Sequence, residues 1–320
     1  MRHRSYLLFA TIALVGTLGM TQAARRLNPV IELLETKKPV FGLYAPANRR
    51  GRGGVPDTST QKTPAQLAAD ALAHTPMDYL FDGSMEGDFD RAFPAFEAFA
   101  KGISDAGAVQ QARLHHPLFV KTHMIAENPA LAATRIGKQL DLGVSGIVFV
   151  GVESANEVKQ GLAMMRFASN GGTRPDAVGA APAMWGMSEK EYRERADLWP
   201  LNPKGELMNW TIVESKEGLA HIREIAAVKG IGVLFPGAGT LRGVFSSTDS
   251  AGKRVTDEVA WEAAIQQVLA ACKEFKVPCG FPATADNIEM RMKQGFNLFV
   301  INWGDAGFKA VDVGMKAAGR

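Results

Sequence analysis

The chain has 320 residues, of which 46% are hydrophobic and 22% are charged, and its formal net charge is +3. This is the composition of an ordinary globular protein, which excludes a disordered chain or a fibrous repeat. Because the net charge is small, we expect no basic surface of the kind that binds nucleic acid or an anionic membrane.

The first 23 residues have the layout of a secretory signal peptide. Arg2 and Arg4 precede an apolar run from Tyr6 to Met20, and small residues lead to a cleavage position after Ala23. The run is short and weakly flanked for a membrane span, so an uncleaved anchor is the second alternative. We expect cleavage, export to the periplasm or the medium, and no stable membrane insertion of the mature chain.

The chain contains two cysteines, Cys272 and Cys279. An exported protein could join them in a disulfide, and two buried, unpaired neighbours are the other possibility. Their number and spacing do not match a zinc site.

From residue 40 onward, a short β-rich run, a turn and an amphipathic stretch alternate. Eight strands are predicted, namely Val40–Ala45, Tyr79–Asp82, Leu118–His123, Ile147–Val152, Trp210–Glu214, Gly232–Phe235, Val277–Phe281 and Leu298–Trp303. This rhythm predicts an α/β protein with a closed (β/α)8 TIM barrel. We expect a lead-in over residues 24–39 and one barrel domain over residues 40–320. No glycine-rich nucleotide-binding fingerprint follows the first strand.

Two long segments interrupt the alternation. Asn48–Thr63 is rich in arginine and glycine, and it either holds a substrate carboxylate or forms a solvated loop. Residues 171–208 are too many for a plain connection, so they are predicted to form a lid or a subunit-contact flap after strand four. The aromatic residues of this flap, Trp185, Tyr192 and Trp199, either face a bulky or aromatic substrate or pack the flap onto the barrel.

In a TIM barrel, the residues that do chemistry collect where the strands end. Glu214 follows the apolar run Thr211–Val213 and precedes a helical pattern, so it is either a ligand or catalytic group or a charge that favours the helix start. The other side chains at predicted strand ends are Asp82, Met85, Glu86, Lys121, His123, Glu153, Asn302, Trp303 and Asp305, with Pro236–Leu241 after strand six.

Several segments together resemble the HpcH/HpaI aldolase and citrate lyase family. The resemblance is carried, in chain order, by Phe119–His123, Asn128–Leu131, Leu140–Val148, Val152–Ser154, Thr211–Ser215 and Ile225–Ile231. It implies a (β/α)8 barrel, a homo-oligomer and a carbon–carbon lyase acting beside a pyruvate-like enolate. In this family, a divalent metal held by a Glu and an Asp stabilises the enolate oxygen as a Lewis acid.

By this resemblance, Glu214 is the metal-binding Glu, and Mg²⁺ or Mn²⁺ is the expected cofactor. Three family positions have changed. The second metal-binding acid is replaced by Gly239 or Thr240, the catalytic His by Met85, and the Arg that orients the oxo acid by Lys121. Lysine keeps the positive charge of arginine but loses its bidentate fork.

Three functions follow from these residues. The first is a metal-dependent lyase in which Asp82, Glu86 or Glu153 supplies the missing acid beside Glu214. The second is a metal-free lyase in which Lys121 forms a Schiff base, unless an ion pair with Glu153 or Asp82 occupies it. The third is an exported binding protein that retains the barrel pocket without its chemistry.

The predicted site therefore has three groups of residues. Lys121, His123 and Glu86 are predicted to be catalytic; Lys121, Gly239, Thr240 and Trp303 to bind a small oxo- or hydroxy-acid; and Glu214, Glu153 and Asp82 to bind the metal. Each of three residues has a structural alternative: a local hydrogen bond for His123, a helix start for Glu153, and packing against neighbours for Trp303.

Overall fold

The computed structural model describes residues 25–48 and 61–320. Its barrel strands are β1 Val40–Tyr44, β2 Tyr79–Asp82, β3 Leu118–Lys121, β4 Gly146–Phe149, β5 Leu207–Val213, β6 Val233–Pro236, β7 Gly280–Pro282 and β8 Leu298–Ile301. Consecutive strands from β1 to β6 pair in parallel, as do β7 with β8 and β8 with β1. A bridge between Leu234 and Cys279 closes the gap between β6 and β7. The predicted (β/α)8 barrel is confirmed.

Strand ends differ from the prediction by a few residues. β5 begins at Leu207 rather than Trp210, and β4 ends at Phe149 rather than Val152. The early end of β4 has a local cause, since Gly151 has φ +60°, a left-handed conformation that leaves the strand ladder.

The helices follow the strands in the expected order. They are α1 Pro29–Glu35, α2 Pro64–Ala73, α3 Phe89–Asp105, α4 Pro129–Asp141, α5 Ala155–Met165, α6 Ala181–Met184, α7 Glu189–Arg195, α8 Lys216–Ala220, α9 Ile222–Ala226, α10 Ala238–Val244, α11 Glu258–Phe275, α12 Ile288–Gln294 and α13 Asp305–Ala317. Side-chain caps fix several starts, among them the capping box that Ser188 and Glu191 form at α7. Ser154 caps α5, but the carboxylate of Glu157 accepts from the backbone N–H of Glu153 instead of closing a box.

The barrel interior is filled by alternate residues of the strands. Phe81, Phe119, Trp210 and Phe235 form an aromatic stack there, with the Phe119 and Trp210 ring centroids 4.4 Å apart. Helix α1 adds apolar side chains to the same cluster. Apolar side chains therefore fill the interior of the barrel between its strands.

Residues 171–206 of the predicted insertion lie against the outside of the barrel, and residues 207–208 belong to β5. Trp185 is buried and donates to the carbonyl of Gly143, which precedes the N-terminal end of β4. Arg174, also buried, contacts Asp141 at 3.1 Å. The aromatic residues of the insertion thus pack it onto the barrel, whereas its role as a subunit contact stays a prediction.

Cys272 of α11 and Cys279 are joined by a disulfide, with a Cα–Cα distance of 5.7 Å. Both cysteines are buried beside the bridge that closes the barrel. The predicted signal peptide and the three arginines of residues 49–52 lie outside the described residues. Within the described part of the chain, no helix has the length and apolarity that crossing a bilayer requires.

Candidate active site

A cavity of about 270 Å³ opens at the C-terminal ends of the strands. Its walls are largely apolar, and Phe81, Trp210 and Phe235 contribute aromatic surface to them. Among the described residues, the charged side chains that line it are Lys121 and Glu214, and Tyr44 and Thr240 add hydroxyl groups. A mostly apolar cleft with a few convergent polar groups is the usual form of a small-molecule site.

The alternation of each strand places these polar side chains at the same mouth. On β1, Val40 belongs to the interior cluster, and Tyr44, four residues later, points to the same side. On β3, Phe119 is interior, so Lys121 is as well. On β5, Trp210 and Ile212 are interior, and Glu214 is the next residue of this face.

Lys121 is held in place from two directions. Its Nζ lies 2.7 Å from a carboxylate oxygen of Glu86, in the loop after β2. The buried side chain of Gln139 in α4 donates to the Lys121 carbonyl at 2.9 Å, which fixes the end of β3. The ion pair expected with Glu153 or Asp82 is formed with Glu86 instead.

Glu214 is a wall residue of the cavity and not the cap of the following helix. Ser215 caps α8 by accepting from the N–H of Gly218. One carboxylate oxygen of Glu214 accepts from the N–H of Gly151 at 2.9 Å. The backbone of Gly237 lies against the same side chain, where a Cβ atom would come 2.6 Å from the other carboxylate oxygen. The turn after β4 and the start of α10 therefore orient this carboxylate.

The structure does not gather the three predicted metal ligands. Asp82 accepts from both the N–H and the hydroxyl of Ser84 in the turn after β2, and burial raises the pKa of its carboxyl group. Glu153 is outside the cavity lining, and its carbonyl meets a ring nitrogen of His221. Among residues 25–48 and 61–320, no three His, Cys, Asp or Glu side chains form a group that could hold a metal.

His123 and Trp303 also lie outside the cavity lining. One ring nitrogen of His123 is 2.7 Å from Glu127, and the other is 3.1 Å from the Glu86 carbonyl, so local hydrogen bonds engage both. The Trp303 ring packs edge-on against Phe308, with centroids 5.1 Å apart. The observed contacts are therefore a local hydrogen bond for His123 and packing against a neighbour for Trp303.

Gly239 and Thr240 line the cavity, and their role in substrate binding stays a prediction. Sequence reasoning did not pick out Tyr44 or the aromatic walls, which come from inside the strands. The alternation of side chains along each strand could have identified them, because every second residue of a strand faces the barrel interior. The tryptophans of the insertion do not contribute, since neither Trp185 nor Trp199 belongs to the lining.

The profile of the HpcH/HpaI aldolase/citrate lyase family matches residues 108–307. The chain belongs to this family. The match includes β3 to β8, and with them Lys121, Glu214, Gly239 and Thr240. The family is one of carbon–carbon lyases and aldolases.

Known relatives are distant. A hydroxypyruvate/pyruvate aldolase from Paraburkholderia phytofirmans is 25% identical over 218 residues, which cover 67% of this chain and 69% of that protein. A family member of known structure from Burkholderia cenocepacia is 21% identical, with a TM-score of 0.63 over 86% of this chain and 92% of that one.

A structure with magnesium and acetate is known for the protein CitE of Mycobacterium tuberculosis. It is 15% identical to this chain, with a TM-score of 0.50 over 88% of this chain and 92% of that chain. At these identities, the structural similarities establish the fold of the present chain.

Proposed function

We propose that the protein is an aldolase-type carbon–carbon lyase that acts on a 2-oxo acid or its aldol without a resident divalent metal. The observation that carries this proposal is the cavity at the strand ends, which Lys121 and Glu214 both line. Membership of a lyase family supports the reaction class. The similarity to the hydroxypyruvate/pyruvate aldolase makes pyruvate or hydroxypyruvate the first nucleophile to test.

The side chains that could coordinate a divalent metal do not match the site that the family uses. Mg²⁺ is held in proteins by one or two carboxylates with near-octahedral geometry, so each anionic oxygen matters. Here Glu214 already accepts a hydrogen bond from Gly151, and the position of the second acid is Gly239 or Thr240. In the described part of the chain, no cluster of three acids or other metal-binding side chains replaces it. The residues present therefore do not fit the two-acid site, and we assign no step to a metal.

In the aldol cleavage that we propose, charge develops on the 2-oxo group as the carbon–carbon bond breaks. Glu214 takes the proton of the aldol hydroxyl group, and that carbon leaves as the aldehyde. The electron pair of the broken carbon–carbon bond stays on the 2-oxo acid fragment, which becomes an enolate. The ammonium of Lys121 stabilises the enolate oxygen, which is the electrostatic role that such a fixed charge fills in a partly desolvated site. The protonated Glu214 then returns its proton to the enolate carbon.

Lys121 acts in this scheme as a charge and not as a Schiff-base nucleophile. A Schiff base requires the neutral amine, usually obtained by desolvation or a neighbouring cation. Here Nζ of Lys121 is engaged in an ion pair with the carboxylate of Glu86 at 2.7 Å, so we assign it the electrostatic role.

The cavity walls favour an apolar aldehyde fragment. Phe81, Trp210 and Phe235 offer aromatic surface and no charge to a bound substrate. Burying apolar substrate surface there is favourable by about 25 cal/mol per Å². We therefore propose that aldols with an aromatic or branched aliphatic substituent react faster than aldols with hydroxylated substituents.

A direct assay tests the lyase. The chain from residue 24 is incubated with aldols of pyruvate and either benzaldehyde or glyceraldehyde, and the released 2-oxo acid is measured. We expect turnover, preference for the aromatic aldol, and losses of roughly 10²–10³-fold in kcat for Lys121→Met and Glu214→Gln. Binding of the aldols without release of either product contradicts the lyase and favours a binding protein.

We also propose that the protein is exported. The layout of residues 1–23 supports this, as does the disulfide between Cys272 and Cys279, because disulfides persist in oxidising compartments. N-terminal sequencing of the protein from its native cell tests the proposal: a mature chain that begins at Ala24 supports it, and an intact Met1 in the cytosol contradicts it.

A further inference from the structure

Tyr44 is the last residue of β1, and it lines the same cavity as Lys121 and Glu214. Its ring packs edge-on against Phe81, with the ring centroids 4.9 Å apart. This contact fixes the plane of the ring at the mouth of the barrel.

Gly83 brings Tyr44 and Lys121 together. It follows β2, the strand between β1 and β3, and it has no side chain to separate its two neighbours. A Cβ atom placed on Gly83 would lie 3.5 Å from Cδ of Lys121 and 3.6 Å from Cε1 of Tyr44. The lysine stem and the tyrosine ring therefore flank the same small volume, and both extend into the cavity from it.

The hydroxyl of Tyr44 is available as a donor. Among residues 25–48 and 61–320, it has no hydrogen-bond partner, whereas the hydroxyl of Tyr79 donates to the Phe299 carbonyl at 2.6 Å. Burial raises the pKa of Tyr44, and the nearby carboxylates of Glu86 and Asp82 raise it further. The phenol thus keeps its proton at neutral pH.

We infer that the hydroxyl of Tyr44 is a second donor to the enolate oxygen and forms, with the ammonium of Lys121, a two-donor oxyanion site for a 2-oxo acid. This inference rests on the proposed lyase function. A neutral and a cationic donor that converge on one oxygen stabilise negative charge there, and fixed donors are most effective in a site that excludes water. Tyr44 is then a catalytic residue that contacts the reacting atoms and transfers no proton.

If the Tyr44 hydroxyl donates to the enolate oxygen, its hydrogen bond should be stronger to the enolate than to the neutral ground-state substrate. Pyruvate carries a neutral carbonyl oxygen at the 2-position, whereas its enolate carries a full negative charge there. Oxalate is a planar dianion that imitates this enolate. Removing the Tyr44 hydroxyl should therefore weaken oxalate binding more than pyruvate binding, because hydrogen bonds to charged acceptors are the stronger ones.

The experiment uses Tyr44→Phe, which retains the ring and its packing on Phe81. Calorimetry gives the dissociation constants of oxalate and pyruvate, and the retro-aldol assay gives kcat and KM. We expect oxalate to bind roughly tenfold more weakly, pyruvate within about threefold of wild type, and kcat to fall roughly 10²-fold with KM little changed. Tyr79→Phe is the matched control, because it removes another barrel tyrosine hydroxyl away from the cavity.

Two different failures can be distinguished. If wild type cleaves aldols and Lys121→Met abolishes oxalate binding, but Tyr44→Phe changes neither kcat nor oxalate affinity, the inference about Tyr44 is wrong and the lyase stands. If wild type cleaves no aldol and binds oxalate no better than Lys121→Met does, the proposed function is wrong, and the role of Tyr44 is refuted with it.

Discussion

The ammonium of Lys121 and a carboxylate oxygen of Glu86 lie 2.7 Å apart at the edge of the barrel cavity. The pair is the charged centre of the site, with 16% of the Lys121 side chain and 38% of the Glu86 side chain exposed. The more exposed side chain of Glu86 has room to change its conformation, whereas the side chain of Lys121 is mostly buried at the end of β3. Glu86 therefore sets the position of the Lys121 ammonium.

The first prediction concerns Glu86→Gln, which keeps the shape of the side chain and removes its charge. Lys121 should lose its fixed position, and kcat/KM should fall by roughly tenfold, less than the loss caused by Lys121→Met. Steady-state kinetics measures both. Lys101→Met is a suitable control, because Lys101 is an exposed residue of α3 paired with Asp105. An unchanged kcat/KM in Glu86→Gln would show that the ion pair only stabilises the fold.

The second prediction is that an acid restored after β6 creates a metal site. We expect Thr240→Asp to bind Mn²⁺ at least roughly tenfold more tightly than wild type, because a second carboxylate is added near Glu214. Calorimetric titration with Mn²⁺ measures this, and Gly239→Asp tests the other position that the family resemblance allows. Mn²⁺ binding by wild type as tight as that of Thr240→Asp contradicts our account of the donor set.

The third prediction concerns the space around Glu214. In Gly237→Ala, the new Cβ would lie 2.4 Å from Cβ of Glu214, closer than real contacts allow, so the carboxylate must move. We expect kcat to fall roughly 10²-fold while the protein still folds, since misplaced catalytic groups lose about this much. The control is Gly137→Ala in α4, where a Cβ would have no atom within 4 Å. Equal kcat values for wild type and Gly237→Ala would remove Glu214 from the mechanism.

The fourth prediction concerns stability in acid. Burial, followed by the neighbouring His115 and His74, lowers the pKa of His116 from 6.5 to about 3. Below pH 6.5 the unfolded chain binds a proton that the folded chain refuses, so acid destabilises the protein. This residue should lower the free energy of unfolding by about 1.4 kcal/mol per pH unit between about pH 6 and pH 4.

Urea denaturation of wild type and His116→Leu at a series of pH values checks this contribution. Because the substitution also changes packing, the comparison is between the pH slopes and not between the absolute stabilities. The slope should be smaller in His116→Leu. If the free energy of unfolding changes with pH in the same way in both proteins, this acid sensitivity does not come from His116.

Much of the fold was predictable because the barrel repeats one pattern. Runs such as Leu118–Lys121 and Leu298–Ile301 are apolar and bounded by turns, and the structure places strands there. Lys121, Glu214, Gly239 and Thr240 line the cavity for the same reason: they lie at or just beyond the ends of strands that must meet.

The arrangement of the acids was not predictable in the same way. Asp82 ends β2, and Glu86 and Glu153 lie in the loops after strands. Asp82 accepts from Ser84, Glu86 pairs with Lys121, and Glu153 stays outside the lining. These differences depend on loop conformations, such as the left-handed Gly151, and on contacts between distant segments. Strand periodicity carries no information about either, so the position of a residue after a strand did not decide its role.

The retro-aldol rate in the presence and absence of a chelator tests the central claim most directly. Wild type and Lys121→Met are freed of metal with EDTA, and the release of pyruvate from an aromatic aldol is measured before and after Mg²⁺ is added back. The account predicts that wild type keeps its rate in EDTA and that Lys121→Met is slower by roughly 10²-fold or more under both conditions. A rate that disappears in EDTA, returns with Mg²⁺ and is unaffected by Lys121→Met would contradict it.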